Sequence, residues 1–170
     1  MELFDLSGRV AIITGSTKGI GKAIAARMCQ HGAKVVISSR KADACEAVTA
    51  EINRDFAANG GEAISIPAHV GIEDELRNLV DKTLDKWGKI TTLVPNAAAN
   101  PYYGPSAEMP DSAFEKIWEV NVKSVFKLCH MVLPGMVEAG SGSITIIASN
   151  SGLKGSVELC GYAISKVAEH

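Results

Sequence analysis

The chain has 170 residues, of which 46% are hydrophobic and 21% charged, with a formal net charge of −2. That length buries a sizeable core in a single domain spanning 1–170, and the near-neutral charge gives nucleic acid or an acidic membrane no electrostatic hold. No apolar run approaches the roughly 18 residues of a membrane span, and Met1-Glu-Leu-Phe-Asp-Leu-Ser-Gly8 has no signal-peptide pattern.

Four cysteines, Cys29, Cys45, Cys129 and Cys160, form no C-x-x-C pair. They are expected to be free thiols in a reducing compartment, which places the protein in the cytoplasm. The four histidines show no metal-ligand spacing with them, so no metal site is expected.

Taken in order, Arg9 to Thr14 is a short apolar strand. Gly15-Ser-Thr-Lys-Gly-Ile-Gly21 follows, and then a helix with Ile20, Ile24 and Met28 on one face. Strand, glycine turn and helix together form a phosphate site. Glycines let the backbone approach a pyrophosphate, and the helix N-terminus offers free N–H groups and a favourable dipole. The spacing is Gly-x-x-x-Gly-x-Gly, so the candidate cofactor contacts are Gly15, Ser16, Thr17, Lys18, Gly19, Ile20 and Gly21.

A second strand, Lys34 to Ser39, runs into Arg40 and Lys41. An acidic residue at this point favours NAD through its ribose hydroxyls. Here an arginine stands instead, able to clasp a 2′-phosphate through two hydrogen bonds, with Lys18 adding a nearby positive charge. Ser39, Arg40 and Lys41 therefore point to NADP over NAD.

Ala42 to Ala58 is the next helix, with Cys45, Val48, Ile52 and Phe56 on one face, and Ala63 to Pro67 is a third strand. The stripe Leu76, Leu79, Val80, Thr83, Leu84 and Trp87 marks a core-facing helix closed by Gly88. Ile90 to Val94 is a fourth strand, followed by the small residues Asn96, Ala97 and Ala98, which allow a flat cofactor close to the backbone. Pro101 to Pro110 reads as a loop over the cleft. Its Tyr102 and Tyr103 either line a substrate pocket or pack on the scaffold.

One long helix is expected from Asp111 to Met136, burying Phe114, Ile117, Trp118, Val125, Leu128, Cys129 and Val132. Asn121 falls on that stripe. A buried carboxamide without partners costs about 1–3 kcal/mol, so it needs a specific partner such as a water or a nearby lysine.

Ser143 to Ser149 is β-branched and apolar and reads as a buried fifth strand, which places Ser149 at its carboxyl end, where open α/β sheets bind ligands. Tyr162 and Lys166 follow, four apart and so on one helical face. Lowering a phenol by about 3 pKa units, from near 10, needs roughly 4 kcal/mol. One positive charge about 4 Å away supplies a similar amount at an effective dielectric near 20. Phenol and ammonium together form a proton-transfer device. Ser149 is not read as a hydrolase nucleophile, because no Gly-x-Ser-x-Gly elbow surrounds it.

Thr14-Gly-Ser-Thr-Lys-Gly-Ile-Gly21, Asn96-Ala-Ala98, Asn121, Ser149 and Tyr162-Ala-Ile-Ser-Lys166, in this order and spacing, resemble the short-chain dehydrogenase/reductase family. The resemblance implies a Rossmann-type doubly wound α/β fold with a parallel sheet in the order 3-2-1-4-5. It also implies hydride transfer between a nicotinamide cofactor and a carbonyl or alcohol carbon. Tyr162 would be the general acid of reduction. Lys166 would lower its pKa and hold the nicotinamide ribose, Ser149 would hydrogen-bond the substrate oxygen, and Asn121 would hold a water linking Lys166 to solvent.

The subgroup most similar is the NADP-dependent carbonyl reductases acting on retinal and aromatic ketones. Ala98 stands where the family has glycine, which a backbone with negative φ tolerates. His69 stands where an acid near the adenine is common, leaving that contact to the backbone around Val70.

Family members continue beyond the Tyr-x-x-x-Lys helix, whereas this chain stops four residues after Lys166. The sheet is therefore expected to end at the fifth strand, with an exposed edge and an incomplete dimer interface. The expectation is an NADPH-dependent carbonyl reductase and homo-oligomer, represented by its N-terminal portion or by a shortened form. The alternative is a catalytically impaired nucleotide-binding or interaction protein.

Overall fold

The computed structural model describes residues 3–170; Met1 and Glu2, at the head of the stretch read as lacking a signal peptide, lie outside it, as does the Ala57 side chain. The elements are β1 (Val10–Thr14), α1 (Gly19–Gln30), β2 (Lys34–Ser38), α2 (Ala42–Phe56), β3 (Glu62–Ser65), α3 (Glu73–Trp87), β4 (Thr92–Val94), α4 (Asp111–Ile117), α5 (Ser124–Glu138), β5 (Ser143–Ile144) and α6 (Cys160–Glu169). The five strands form one parallel sheet in the order β3-β2-β1-β4-β5. This is the Rossmann-type α/β fold expected.

Alternation along β1 sets the layering, because successive strand side chains point to opposite faces. Ile12 joins Val36, Leu76, Leu79, Leu93, Leu128 and Val132 on the side covered by α3 and α5. Ala11 and Ile13 join Val35, Ile37, Ala25, Cys29, Cys45, Val48 and Ile52 on the side covered by α1 and α2. Strands covered on both faces read as continuous apolar runs.

Several expectations need correction. The face of α1 that packs on the sheet is Gly21, Ala25 and Cys29, and Ile20 is 62% exposed. Small residues win there because they let the helix approach β1 and β2 closely; the larger Ile24 and Met28 are only half-buried.

The long helix over 111–136 is interrupted by a π-helical segment, Trp118–Lys123, in which Val120 and Asn121 are buried. Phe114 is 40% exposed and stacks on Trp118 instead of entering the core, and Cys129 is only half-buried.

The fifth strand is shorter and less buried than expected. Only Ser143–Ile144 is regular, and 143–149 is exposed or half-buried throughout. Pairing with β4 nevertheless continues, with Thr145 N–H donating to Leu93 O at 2.9 Å and Ile147 N–H to Pro95 O at 3.0 Å. Edge position explains the exposure: β5 has one neighbour in the sheet, so its outer side is uncovered.

The junction of α1 with β3 sets a tight packing limit. A Cβ on Gly61 would lie 2.1 Å from Cys29 O and 2.7 Å from Cys29 Sγ. Gly61→Ala should therefore cost about 1–3 kcal/mol through overpacking. The check is a denaturant titration in which the midpoint falls and the slope is retained.

Candidate active site

The order of the strands sets where a ligand lies. The chain winds outward from β1 through β2 to β3, then returns to add β4 and β5 on the other side. The crevice at the carboxyl ends of β1 and β4 is the topological switch point, where open α/β sheets bind ligands.

The glycine turn occupies that crevice. Gly15 and Gly19 have φ of 67° and 55°, a region L side chains rarely adopt. A Cβ on Gly21 would meet Asn96 Nδ2 at 2.5 Å and Gly15 O at 2.6 Å, whereas one on Gly19 would meet nothing within 4 Å. The turn is thus packed from behind and open in front. Lys18 at the N-cap of α1 supplies no side-chain cap, and no acidic residue lies in the first turn. An uncapped helix N-terminus behind an open glycine turn suits an anion such as a pyrophosphate.

Asn96, Ala97 and Ser16 turn out to build the floor. Asn96 Nδ2 donates to Thr14 O at 2.8 Å and Gly15 O at 3.2 Å. Thr14 Oγ1 accepts from Asn96 N–H at 3.0 Å and Ala97 N–H at 3.1 Å. Ser16, fully buried, donates from its hydroxyl to Ile13 O at 2.7 Å and accepts from Ser38 N–H at 2.9 Å. These groups clamp β1 to its two neighbours and are committed to the fold. Thr14, at the end of an apolar strand and the head of the glycine motif, is a structural hydroxyl and not among the candidate cofactor contacts. Ala98 is exposed with φ negative, since no non-glycine residue has positive φ among the described residues.

Lys18, Arg40 and Lys41 are exposed on this same sheet end, because β1 and β2 pair in register with Thr14 beside Ser38. None of the ion pairs among the described residues uses these three cations. Ser39 Oγ lies 3.3 Å from Cys45 Sγ, at the edge of α2. His69 is engaged locally: its Nδ1 accepts from Gly71 N–H at 3.0 Å and its Nε2 lies 3.3 Å from Lys116 Nζ. Val70 is buried.

The other end of the site, with the candidate pair Tyr162 and Lys166, is built by α6. Tyr162 is half-buried, and Lys166 is only 2% exposed, with its ammonium 5.5 Å from the Tyr162 ring centroid. Lys166 Nζ donates to Ile147 O at 3.3 Å, fastening α6 to the segment after β5. It also reaches both carboxylate oxygens of Glu169 at 2.7 Å. Burial pushes the Glu169 carboxyl above its usual value, against the opposing pull of Lys166 and His170.

Ser149 begins a short 3-10 turn, Asn150–Leu153, that packs on α6; its Oγ accepts from Ser151 N–H at 3.1 Å. His170 Nε2 lies 3.2 Å from Ser149 O, on the carbonyl and not the hydroxyl, so the two residues do not form a nucleophile–base pair.

Asn121 is fully buried, but its partners are not those expected. Its Oδ1 accepts from Ala99 N–H at 2.8 Å, and its Nδ2 donates to Ala99 O at 3.1 Å and Ser165 Oγ at 2.9 Å. Ser165 in turn donates to Tyr162 O at 2.7 Å. Asn121 therefore joins the loop after β4 to α6, with both of its amide protons committed and no lysine among these partners. The wide π-helical turn coincides with this insertion, as such turns do at functional sites.

Tyr102 donates to Pro105 O at 3.0 Å, and Tyr103, 68% exposed, bonds the Glu158 carboxylate, which raises its phenol.

The family described as short chain dehydrogenase matches residues 9–170. The chain belongs to this oxidoreductase family. It is 39% identical over 160 residues to dehydrogenase/reductase SDR family member 4 of Caenorhabditis elegans, covering 94% of this chain and 60% of that protein. It is likewise 39% identical to tropinone reductase-like 3 of Erythroxylum coca, covering 95% and 60%. The chain thus spans about 60% of the length of these relatives.

A short-chain dehydrogenase/reductase structure from Mycobacterium marinum superposes with a TM-score of 0.89 at 35% identity, covering 98% of this chain and 67% of that one. A 7α-hydroxysteroid dehydrogenase complexed with NADH and 7-oxo glycochenodeoxycholic acid gives 0.87 at 36% identity, covering 97% and 62%. A metagenomic short-chain oxidoreductase in complex with NADP gives 0.88 at 32%, covering 96% and 72%. Cofactors of both kinds occur among these neighbours.

Asn121→Ala removes both partners of the Ala99 backbone. It should cost about 1–3 kcal/mol and accelerate hydrogen exchange at the Ala99 amide, leaving amides of the central strands protected. Unchanged exchange at Ala99 would exclude Asn121 as the tie.

Proposed function

We propose that this chain is the nucleotide-binding and proton-transfer part of an NADPH-dependent reductase of ketones or aldehydes, folded as a single domain over 1–170. The reading rests chiefly on one observation: a buried Lys166 ammonium one helical turn from Tyr162, with its charge 5.5 Å from the phenol ring. A bound nicotinamide would supply the hydride. The chain's own residues do the rest.

The open glycine turn and the uncapped start of α1 take the pyrophosphate. Exposed Arg40, with Lys18 and Lys41, takes a 2′-phosphate. Ser149 Oγ, held at the head of its turn, donates to the substrate oxygen as negative charge develops there. Tyr162 Oη delivers the proton to that oxygen, and Lys166 stabilises the phenolate that remains until solvent restores the proton. In oxidation the same proton moves the other way. Lys166 also stands to hold the ribose of the nicotinamide, and Asn121 acts by positioning the α6 backbone through Ser165.

A homo-oligomer belongs to the same reading. It is supported by the apolar residues exposed on α5, Phe126, Leu133 and Val137, and on α6, Ile164 and Val167.

Fluorescence titration of the chain with NADPH, and with NADH alongside, tests the cofactor reading. Selective NADPH binding is expected, and Arg40→Asp should remove most of that selectivity. An unchanged ratio would dismiss the clasp. Tyr162→Phe should abolish turnover with a ketone while changing NADPH affinity by no more than a few-fold. Retained turnover would remove Tyr162 from the mechanism. Nucleotide binding without turnover by the unaltered chain would favour the binding-protein alternative.

A further inference from the structure

The mechanism just given uses the charge of Lys166 but leaves Glu169 without a role. Glu169 is the third residue after Lys166 on α6, and both of its oxygens lie 2.7 Å from Lys166 Nζ. The side chains are 2% and 3% exposed, so the pair is shielded from water and salt. Tyr162, Lys166 and Glu169 fall along one face of α6, since residues three and four apart on a helix are neighbours.

A bidentate carboxylate at that distance cancels much of the ammonium's field beyond the pair. The lysine's other donor contact, to Ile147 O at 3.3 Å, is neutral and leaves this balance unaltered.

We propose that Glu169 is a positioning residue that neutralises Lys166 and thereby sets how much positive charge reaches the Tyr162 phenol. The proposal deepens the reading of Tyr162 and Lys166 as the proton-transfer pair and rests on it. While Glu169 holds the lysine, the phenol keeps its proton more tightly and Lys166 has fewer free N–H groups for a ribose hydroxyl. Displacing or neutralising Glu169 turns the lysine's charge toward Tyr162.

Other charged groups around Glu169 are few. His170 follows it directly, at the C-cap of α6. Of the elements packed on α6, α4 carries Asp111, Glu115 and Lys116, and the π-helical segment carries Glu119 and Lys123. Lys123 pairs with Glu119, and Lys116 faces His69. The 3-10 turn 150–153 carries no charge and is followed by Lys154.

The test reads Tyr162 directly and needs neither cofactor nor turnover. The three tyrosines are reduced to one by Tyr102→Phe and Tyr103→Phe. Tyrosinate absorbance is then followed through alkaline pH, where Glu169 is ionised, in this background and in three variants of it.

Glu169→Gln should lower the Tyr162 midpoint, by on the order of one pH unit for as long as the unpaired Lys166 keeps its proton. Lys166→Met should raise it by a similar amount. Lys166→Met with Glu169→Leu, a neutral pair of similar volume that is expected to fold, should leave it unchanged. Either single variant decides the matter beside the double one if the other does not fold.

A midpoint raised in the double variant means the lysine acts on Tyr162 despite Glu169. That overturns the proposal and keeps the Tyr162–Lys166 reading. No shift in any variant means the lysine's charge does not reach the phenol, which overturns both.

Discussion

The centre of the molecule depends on a short set of hydrogen bonds at the carboxyl ends of β1 and β4. Thr14 Oγ1 receives two backbone N–H groups from the end of β4, and the Asn96 carboxamide returns a donor to Thr14 O and Gly15 O. Parallel strands have no hairpin to align them, so their ends need such ties. Ser16 does the same between β1 and β2. Because these bonds lie behind the glycine turn, the turn stays open in front, and the sheet can present a helix N-terminus to a ligand.

The second constraint is the buried charge of Lys166. A lone ammonium in a protein interior is strongly disfavoured unless it is paired and hydrogen-bonded. Here the carboxylate of Glu169 and the Ile147 carbonyl satisfy it. The Ile147 bond also holds α6 against the segment after β5, and Asn121 ties α6 to the loop after β4 through Ser165 and Ala99. One side chain thus carries both a buried charge and a tie between segments. Breaking a buried pair by removing one partner costs about 3–5 kcal/mol, so loss of Glu169 or Lys166 alone would weigh on the stability of α6.

Much of the fold was legible because its signals are local. The strands β1, β2 and β4 are short apolar runs ended by small or turn-forming residues, and α2 and α3 carry stripes that are buried as expected at Cys45, Val48, Ile52, Leu76, Leu79, Val80 and Thr83, while Leu84 near the end of α3 is 40% exposed. Errors arose where burial depends on neighbours distant in the chain. Ile20 looks like core on periodicity but faces out, because Gly21, Ala25 and Cys29 give a closer fit to the sheet. Ser143 to Ser149 looks like a buried strand but lies at the edge. The helix through Asn121 looks continuous but widens where the carboxamide reaches across to Ala99.

By itself, the sequence determined the element order, the glycine turn between β1 and α1, and the placing of Tyr162 one turn before Lys166, since each follows from spacing along a single helix, strand or turn. Only the tertiary structure decided what those side chains touch. It committed Asn96, Ser16 and Thr14 to closing the sheet, gave Asn121 to Ala99 and Ser165, and set the buried side chain of Glu169 against Lys166. Spacing reports which face a residue is on. Whether its charge or hydrogen bonds are already taken depends on burial and on partners brought in by the packing of other segments, and no local pattern carries that information.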